Sequence, residues 1–331
     1  MPTLSSLNVY DLAYKALIHH GADQLAADSL ARSITATEEM GISSHGLMYL
    51  PIYCQHLDCG KVNRAAKPSL ETQSATSFRA NADNGFAHPA IDLGFAQLIP
   101  AAKEHGIAAL AVHQSYNCGV LGYHVERLAN AGLVGLGFTN APASIAPIGG
   151  RTPVIGTNPF ALAVPDANNE AAFVIDQSAS TIAKSEIMKR SRAGESIPEG
   201  WAFDAEGNPT TDPDVALKGS MAPSGGYKGF GMGLLVEVFA AMLSGATLGK
   251  DASPFSGTAG GPPATGQFFI AVNPETFSGG MFGGNLEGLC AAIEGQDGAR
   301  LPGSRRKKFR DDQGAIEIPE TLAETISKLM E

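Results

Sequence analysis

Apolar positions recur at helical spacing near the N-terminus. NVYDLAYKALIHHG places them every three or four residues and stops at Gly21, a residue suited to the turn after a helix. Asp23 stands as a cap to ADQLAADSLARSITATEEMG, in which Leu25, Leu30 and Ile34 are expected near one face and Gly41 ends the run. LPIYCQHLDCG predicts a third, short helix closed by Gly60. From about residue 75 the texture changes to short β-rich runs: GIAALAVHQS, GLVGLGFTNA, NPFALAVP, AAFVIDQS and GQFFIAVN, each bounded by Gly, Pro, Asn or Asp. IDLGFAQLIPAAKEHG and GYHVERLANAG read as helices preceding the first two. KGFGMGLLVEVFAAMLSGATLG reads as a longer helix opening from a glycine-rich turn, with Leu234, Leu235, Val238, Phe239 and Met242 expected as a core stripe. ETLAETISKLME predicts an amphipathic helix at the end. The pattern is mixed α/β without a clean strand–helix alternation, so a doubly wound sheet is not implied.

Composition narrows the class. A chain of 331 residues with 44% hydrophobic residues can build a sizeable core, as two domains or one large one. The formal net charge of −10 disfavours nonspecific nucleic-acid binding, which needs many phosphate-neutralising cations. Cys54, Cys59, Cys118 and Cys290 form no CxxC pair, and no His/Cys group has zinc spacing, so no metal is expected. The N-terminal residues lack a signal peptide's basic start and long apolar stretch, and no membrane-length apolar run occurs. A reduced, cytoplasmic setting is the expectation.

Candidate chemistry is spread along the chain. Neither GxGxxG after a strand nor GxxxxGK[ST] occurs, so no nucleotide loop of either kind is present. In GGYKGFGMG, Tyr227 and Lys228 stand at a helix start whose N–H groups favour an anion; a solvated Gly-rich turn is the alternative. In SYNCGVLGYH, Asn117 to Leu121 join a strand to a helix, either as a plain loop or as backbone donors to a ligand. RLPGSRRKKFR gathers six cations late in an acidic chain, as a solvated run or as a phosphate contact. FVIDQSAS ends a strand in Asp176, Gln177 and Ser178, where α/β enzymes tend to place ligand contacts, and AKSEI then offers Lys184 and Glu186. No GxSxG elbow is present, so hydrolase chemistry is poorly supported. His45, in ISSHGLMYL, is either a structural turn histidine or a proton donor, with Ser44 beside it to orient it.

Together these segments resemble the type-2 malate/L-lactate dehydrogenase family of NAD(P)-dependent oxidoreductases. The resemblance spans nearly the whole chain: SHG at 44 to 46, LGFTNAPASIAPIGG, GTNPFALAVP, DQSAS with AKSEI, PEGWAFDAEGNPTTDP, GGYKGFGMGLLVE and LPGSRR. It implies a non-Rossmann α/β fold, a mixed sheet with a helical N-terminal region. It also implies a dimer, a cofactor (NAD or NADP) lying in a cleft, and hydride transfer at a carbon next to a carboxylate. Substrates would be 2-hydroxy or 2-oxo acids of the malate, lactate or sulfolactate type, or, alternatively, the cyclic imino acids Δ1-pyrroline- and Δ1-piperideine-2-carboxylate. Residues 1–112, completed by 288–331, would form the substrate-side domain, and 113–287 the NAD(P)-binding domain.

Residue by residue, the resemblance makes Ser44 and His45 relay and proton donor, with Glu186 as relay carboxylate and Asp176 as fallback. Cofactor contacts would come from Asn117, Cys118, Gly119, Val120 and Leu121, from Asp176, Gln177 and Ser178, from Tyr227 and Lys228, and from Arg300, Leu301, Pro302, Gly303, Ser304, Arg305 and Arg306. The cations near Arg305 lean toward NADP. Ser144 lies near a substrate-contacting hydroxyl position. Two departures stand out. Tyr49 occupies the place of an arginine that would grip the substrate carboxylate, so another cation must supply the charge, with Lys184 and Arg151 as candidates. Asn117 replaces a histidine that serves as proton acceptor in some members, which moves the acid–base role to His45.

Overall fold

The computed structural model describes residues 2–312 and 315–330. Helices α1 (Ser6–His19), α2 (Gln24–Glu39) and α3 (Leu50–Asp58) open the chain. Asp23 caps α2 by accepting from the Ala26 N–H at 2.9 Å, as its position in the sequence suggested. Gly21, Gly41 and Gly60 follow the three helices with positive φ. Val9, Ala13, Ala16 and Leu17 of α1 pack with Leu30, Ile34, Leu50, Tyr53 and Leu57. Leu25 departs from the expected face and is exposed. Five residues advance a helix by roughly 500°, so Leu25 lies about 140° from Leu30.

Strands β1 (Ser69–Ser74) and β2 (Ser77–Asn81) form a hairpin. Helix α4 (Ala87–His105) crosses to β3 (Ile107–Ser115), and α5 (Leu121–Ala129) follows. Then come β4 (Val134–Thr139), β5 (Phe160–Pro165) and β6 (Ala171–Gln177), helix α6 (Lys184–Ala193) and helix α7 (Tyr227–Glu237). Strand β7 (Thr265–Val272), α8 (Phe282–Glu294), α9 (Ser304–Asp312) and α10 (Glu320–Lys328) complete the chain. Glu331, the last residue of the predicted C-terminal helix, lies outside the described residues.

One seven-stranded sheet runs in the order β1-β2-β3-β7-β4-β5-β6. Only β2 and β3 pair in parallel, and α4 supplies the crossover that such a pair requires. The mixed sheet agrees with the sequence reading. The division expected between residues 112 and 113 falls inside β3. Alternation along the strands sorts the two faces. Phe269 and Ala271 of β7 pack with Leu110, Ala161 and residues of α4 and α5, while Phe268 and Ile270 face Phe138 and the helix after α7.

Helix α7 continues as a π-helical segment, Val238–Leu243. Its buried side is Gly233, Val236, Ala240 and Ala241, with Phe239 half-buried against Phe138. Leu234, Leu235, Val238 and Met242, expected as core, are instead exposed. Both sides keep helical spacing, and the one that lies inward is the small-residue side: a Cβ on Gly233 would strike Ile155, so the helix packs closely there and its larger apolar side chains are left outside. A three-stranded sheet of Ala202–Phe203, Pro209–Thr210 and Ser220–Met221 packs near α6. Thr3–Leu4 pairs with Ile316–Glu317, so the two ends of the chain meet. Among the described residues, no helix is long and apolar enough to cross a membrane, and no group of His, Cys, Asp or Glu could hold a metal ion.

Candidate active site

After Gly41 the chain turns through a 3-10 segment, Ser43–His45, and a second one, Leu47–Tyr49, before α3 begins with Pro51 in its first turn. The turn holds His45 half-buried. Ser44 Oγ lies 3.0 Å from His45 Nδ1, which leaves Nε2 as the free ring nitrogen. Tyr49 lies parallel to the imidazole with 6.5 Å between ring centroids. Burial lowers the His45 pKa from its ordinary value; Asp176 acts to raise it and Arg306 to lower it.

Asp176 links three segments that the sequence keeps far apart. Its Oδ2 accepts from the Gly122 N–H at 3.1 Å and from Arg306 Nη1 at 3.0 Å. The carboxylate bearing on His45 is therefore at the end of β6. Glu186 stands elsewhere: it faces Arg190 at 3.8 Å along α6, and Arg190 lies over the Trp201 ring. No hydrogen bond or ion pair among the described residues joins Glu186 to His45.

The remaining candidates fall into two groups. Asn117, Gly119 and Tyr53 form a closed unit: Asn117 Oδ1 accepts from the Tyr53 hydroxyl and the Gly119 N–H, both at 3.1 Å. Asn117 thus shapes the loop. Cys118, Val120 and Leu121 are buried, and burial pushes the Cys118 thiol up to about 12. What they offer a ligand is backbone. Gln177 is exposed and Ser178 Oγ lies 3.0 Å from Ser180 Oγ, next to a bridge between Ser180 and Pro223 that brings the start of α7 alongside. Tyr227 and Lys228 are exposed at that start. Pro302 O accepts from the Val174 N–H at 3.2 Å, which seats the Leu301–Gly303 turn against β6 and leads into α9 at Ser304. Arg306, Lys307 and Arg310 pair with Asp176, Glu170 and Glu126; Arg300, Arg305 and Lys308 have no ion-pair partner among the described residues.

Toward the substrate side, Ser144 Oγ is buried without a hydrogen-bond partner. Lys184 opens α6, and loss of hydration lowers its pKa. Arg151 is exposed and lies along Gly207. Tyr49 donates to Phe255 O at 3.4 Å, and burial raises its pKa, keeping the phenol neutral. Tyr53, His56 and Tyr116 complete an aromatic group that sequence reading did not single out. Their signal is the spacing of Tyr49, Tyr53 and His56 on one side of α3.

The donor set fits a dinucleotide. Helix α7 begins without a side-chain cap and without an acidic residue in its first turn, so its N–H groups are open to phosphate oxygens, whereas at the start of α5 the Gly122 N–H is already held by Asp176. Beside Gly122, Val174, Leu301, Gly303, Arg306 and Lys307 runs a cleft of about 910 Å3.

Comparisons with known proteins identify the family. A (2R)-3-sulfolactate dehydrogenase (NADP+) of Chromohalobacter salexigens is 42% identical over 95% of this chain and 94% of its own. A Δ1-pyrroline-2-carboxylate reductase of Ancylobacter novellus is 38% identical over 96% and 95%. The crystal structure of a Δ1-piperideine-2-carboxylate reductase from Pseudomonas syringae pv. tomato superposes with a TM-score of 0.94 at 33% identity, covering 99% of this chain and 100% of that one. The malate/L-lactate dehydrogenase family model matches residues 5–327, and with it the placement is settled: the chain belongs to the malate/L-lactate dehydrogenase family.

Proposed function

We propose that this NAD(P)-dependent oxidoreductase interconverts a small 2-hydroxy acid of the 3-sulfolactate type and its 2-oxo acid, with NADP as the favoured cofactor. The observation that carries the reading is that Asp176 and its ion-pair partner Arg306 both act on the His45 ring, while Arg306 also lines the cleft. The sulfolactate dehydrogenase at 42% identity supports the substrate class and the cofactor. Asn117 to Leu121, Asp176 to Ser178, Tyr227 with Lys228, and Arg300 to Arg306 would hold the dinucleotide. The bound nicotinamide supplies the two-electron chemistry by taking up or releasing hydride.

His45 does the proton work. With Nδ1–H directed to Ser44 Oγ, Nε2 presents its lone pair and accepts the hydroxyl proton during oxidation. In the reverse direction the imidazolium returns that proton to the forming alkoxide. Burial keeps the ring neutral near pH 7, ready as a base, while Asp176 offsets part of the cost of charging it. Ser144 Oγ, buried and unpaired, receives a substrate oxygen, and Lys184, with no acidic partner among the described residues, faces the acid group. Glu186 is retained as a relay candidate only if α6 moves on binding; Asp176 is the carboxylate we assign.

Cyclic imino-acid reduction is the second reading, favoured by the superposition at a TM-score of 0.94. We also propose a homodimer, for which the exposed apolar face of Leu234, Leu235, Val238 and Met242 is the support, and a cytoplasmic location.

A panel of sulfolactate, malate, lactate and Δ1-pyrroline-2-carboxylate with both cofactors tests the substrate. Fastest turnover with sulfolactate and NADP is expected; turnover of the imine alone would replace the first reading with the second. His45→Ala should cut kcat by about 10²–10⁴-fold with cofactor binding intact. Unchanged turnover would end the proposed mechanism.

A further inference from the structure

Glu38 is the next-to-last residue of α2 and is 2% exposed. No lysine, arginine or histidine forms an ion pair with it among the described residues. A buried carboxylate without a cation is costly, and burial raises its pKa. Both of its oxygens are nonetheless occupied. Oε1 accepts from the Leu47 N–H at 2.6 Å, and Oε2 accepts from the Ser43 hydroxyl at 3.0 Å. Ser43 and Leu47 stand two residues before and two residues after His45.

Gly46 closes the arrangement. A Cβ there would fall 2.2 Å from Glu38 Oε1, 2.7 Å from Cδ and 3.0 Å from Cγ; Glu38 supplies all three of the nearest atoms. Gly46 combines φ −94° with ψ −132°, outside the regions that residues with a Cβ usually occupy, and the carboxylate fills the space a Cβ would take.

We infer that Glu38 is a positioning residue for the reaction: its carboxylate clamps the turn on both sides of His45 and so fixes where Nε2 meets the substrate. The inference rests on the reading of His45 as proton donor and acceptor. Glu38 touches neither the substrate nor the reacting atoms. It acts by holding the backbone, and misplacement by about 1 Å is enough to cost roughly 10²-fold in rate.

The test is a set of variants read by kcat, KM, NADPH dissociation constant and melting temperature. Glu38→Ala should lower kcat by about 10²-fold while KM and cofactor affinity change little. Glu38→Gln keeps an oxygen for the Leu47 N–H and should recover most of that loss, which a role in bulk stability alone would not produce. Gly46→Ala should also lower kcat, because the new methyl displaces the carboxylate. Combined with Glu38→Ala it should add almost nothing, since the atoms it would strike are gone. Any cost of placing alanine on this backbone is common to both backgrounds and cancels in the cycle.

Near-wild-type kcat in Glu38→Ala, a loss confined to KM or cofactor binding, or additive effects of the two substitutions would overturn the inference. Should Glu38→Ala not fold, Glu38→Asp, which shortens the reach of the carboxylate, replaces it: near-wild-type kcat there overturns the inference, and a kcat loss with cofactor affinity retained upholds it. His45→Ala separates the two levels. If it keeps turnover, the assignment of His45 falls and Glu38 with it. If it loses turnover while Glu38→Ala does not, Glu38 alone is wrong.

Discussion

At the scale of single residues, the proton chemistry turns on opposing influences at one imidazole. Burial favours neutral His45 and Asp176 favours the charged ring. Removing the carboxylate with Asp176→Asn therefore lowers the His45 pKa further, and Arg306, freed from its partner, pushes the same way. Oxidation of the hydroxy acid needs the neutral base, so its rate rises as pH climbs through that pKa. The acid limb of the kcat profile should move to lower pH in Asp176→Asn, and reduction, which needs the charged ring, should fade at lower pH than in the wild type. A limb that stays in place would show that Asp176 does not act on the ring. The sequence revealed the serine–histidine turn because both residues are adjacent and chemically distinctive. It did not reveal the Asp176–Arg306 pair, whose partners are 130 positions apart. Glu186 drew attention by its position within AKSEI, whereas the chain gives it to Arg190. Glu38 was invisible for another reason: two glutamates at the end of a helix look like a solvated surface.

Elements show the same division between local and nonlocal information. The five apolar strand runs were legible, because alternation and turn residues bounded them. The β1–β2 hairpin was not. SLETQS is largely exposed and carries polar side chains on both faces, as a strand at the sheet edge can. Helix α4 was legible in period, but its closeness to the sheet was not. A Cβ on Gly94 would come within 2.3 Å of Leu110 Cδ2 and 2.6 Å of Cδ1, so the helix lies on β3 through the missing side chain. Gly94→Ala gains about 1 kcal/mol of helix propensity. It should still destabilise the protein by about 1–3 kcal/mol through overpacking. Urea unfolding measures the balance, and a stabilised variant would mean that α4 has slack above β3.

For the molecule as a whole, the apolar face left open along α7 and its π-helical extension is the ground for expecting a dimer. Leu235→Glu with Met242→Glu should shift the sedimenting species to the monomer mass at micromolar concentration; an unchanged dimer would place the interface elsewhere. The wider plan was readable as a mixed sheet with helices at the front, while strand order was not, since it depends on pairings across long stretches of chain. That order has a consequence for the protein's birth. β7 lies between β3 and β4 and is joined to β3 by bonds spanning 150 residues. At ribosomal speed, the wait between those two strands is on the order of ten to thirty seconds. Through that interval the earlier strands hold open edges with no neighbour to accept their hydrogen bonds, and the nascent chain is most exposed to self-association just before its central strand emerges.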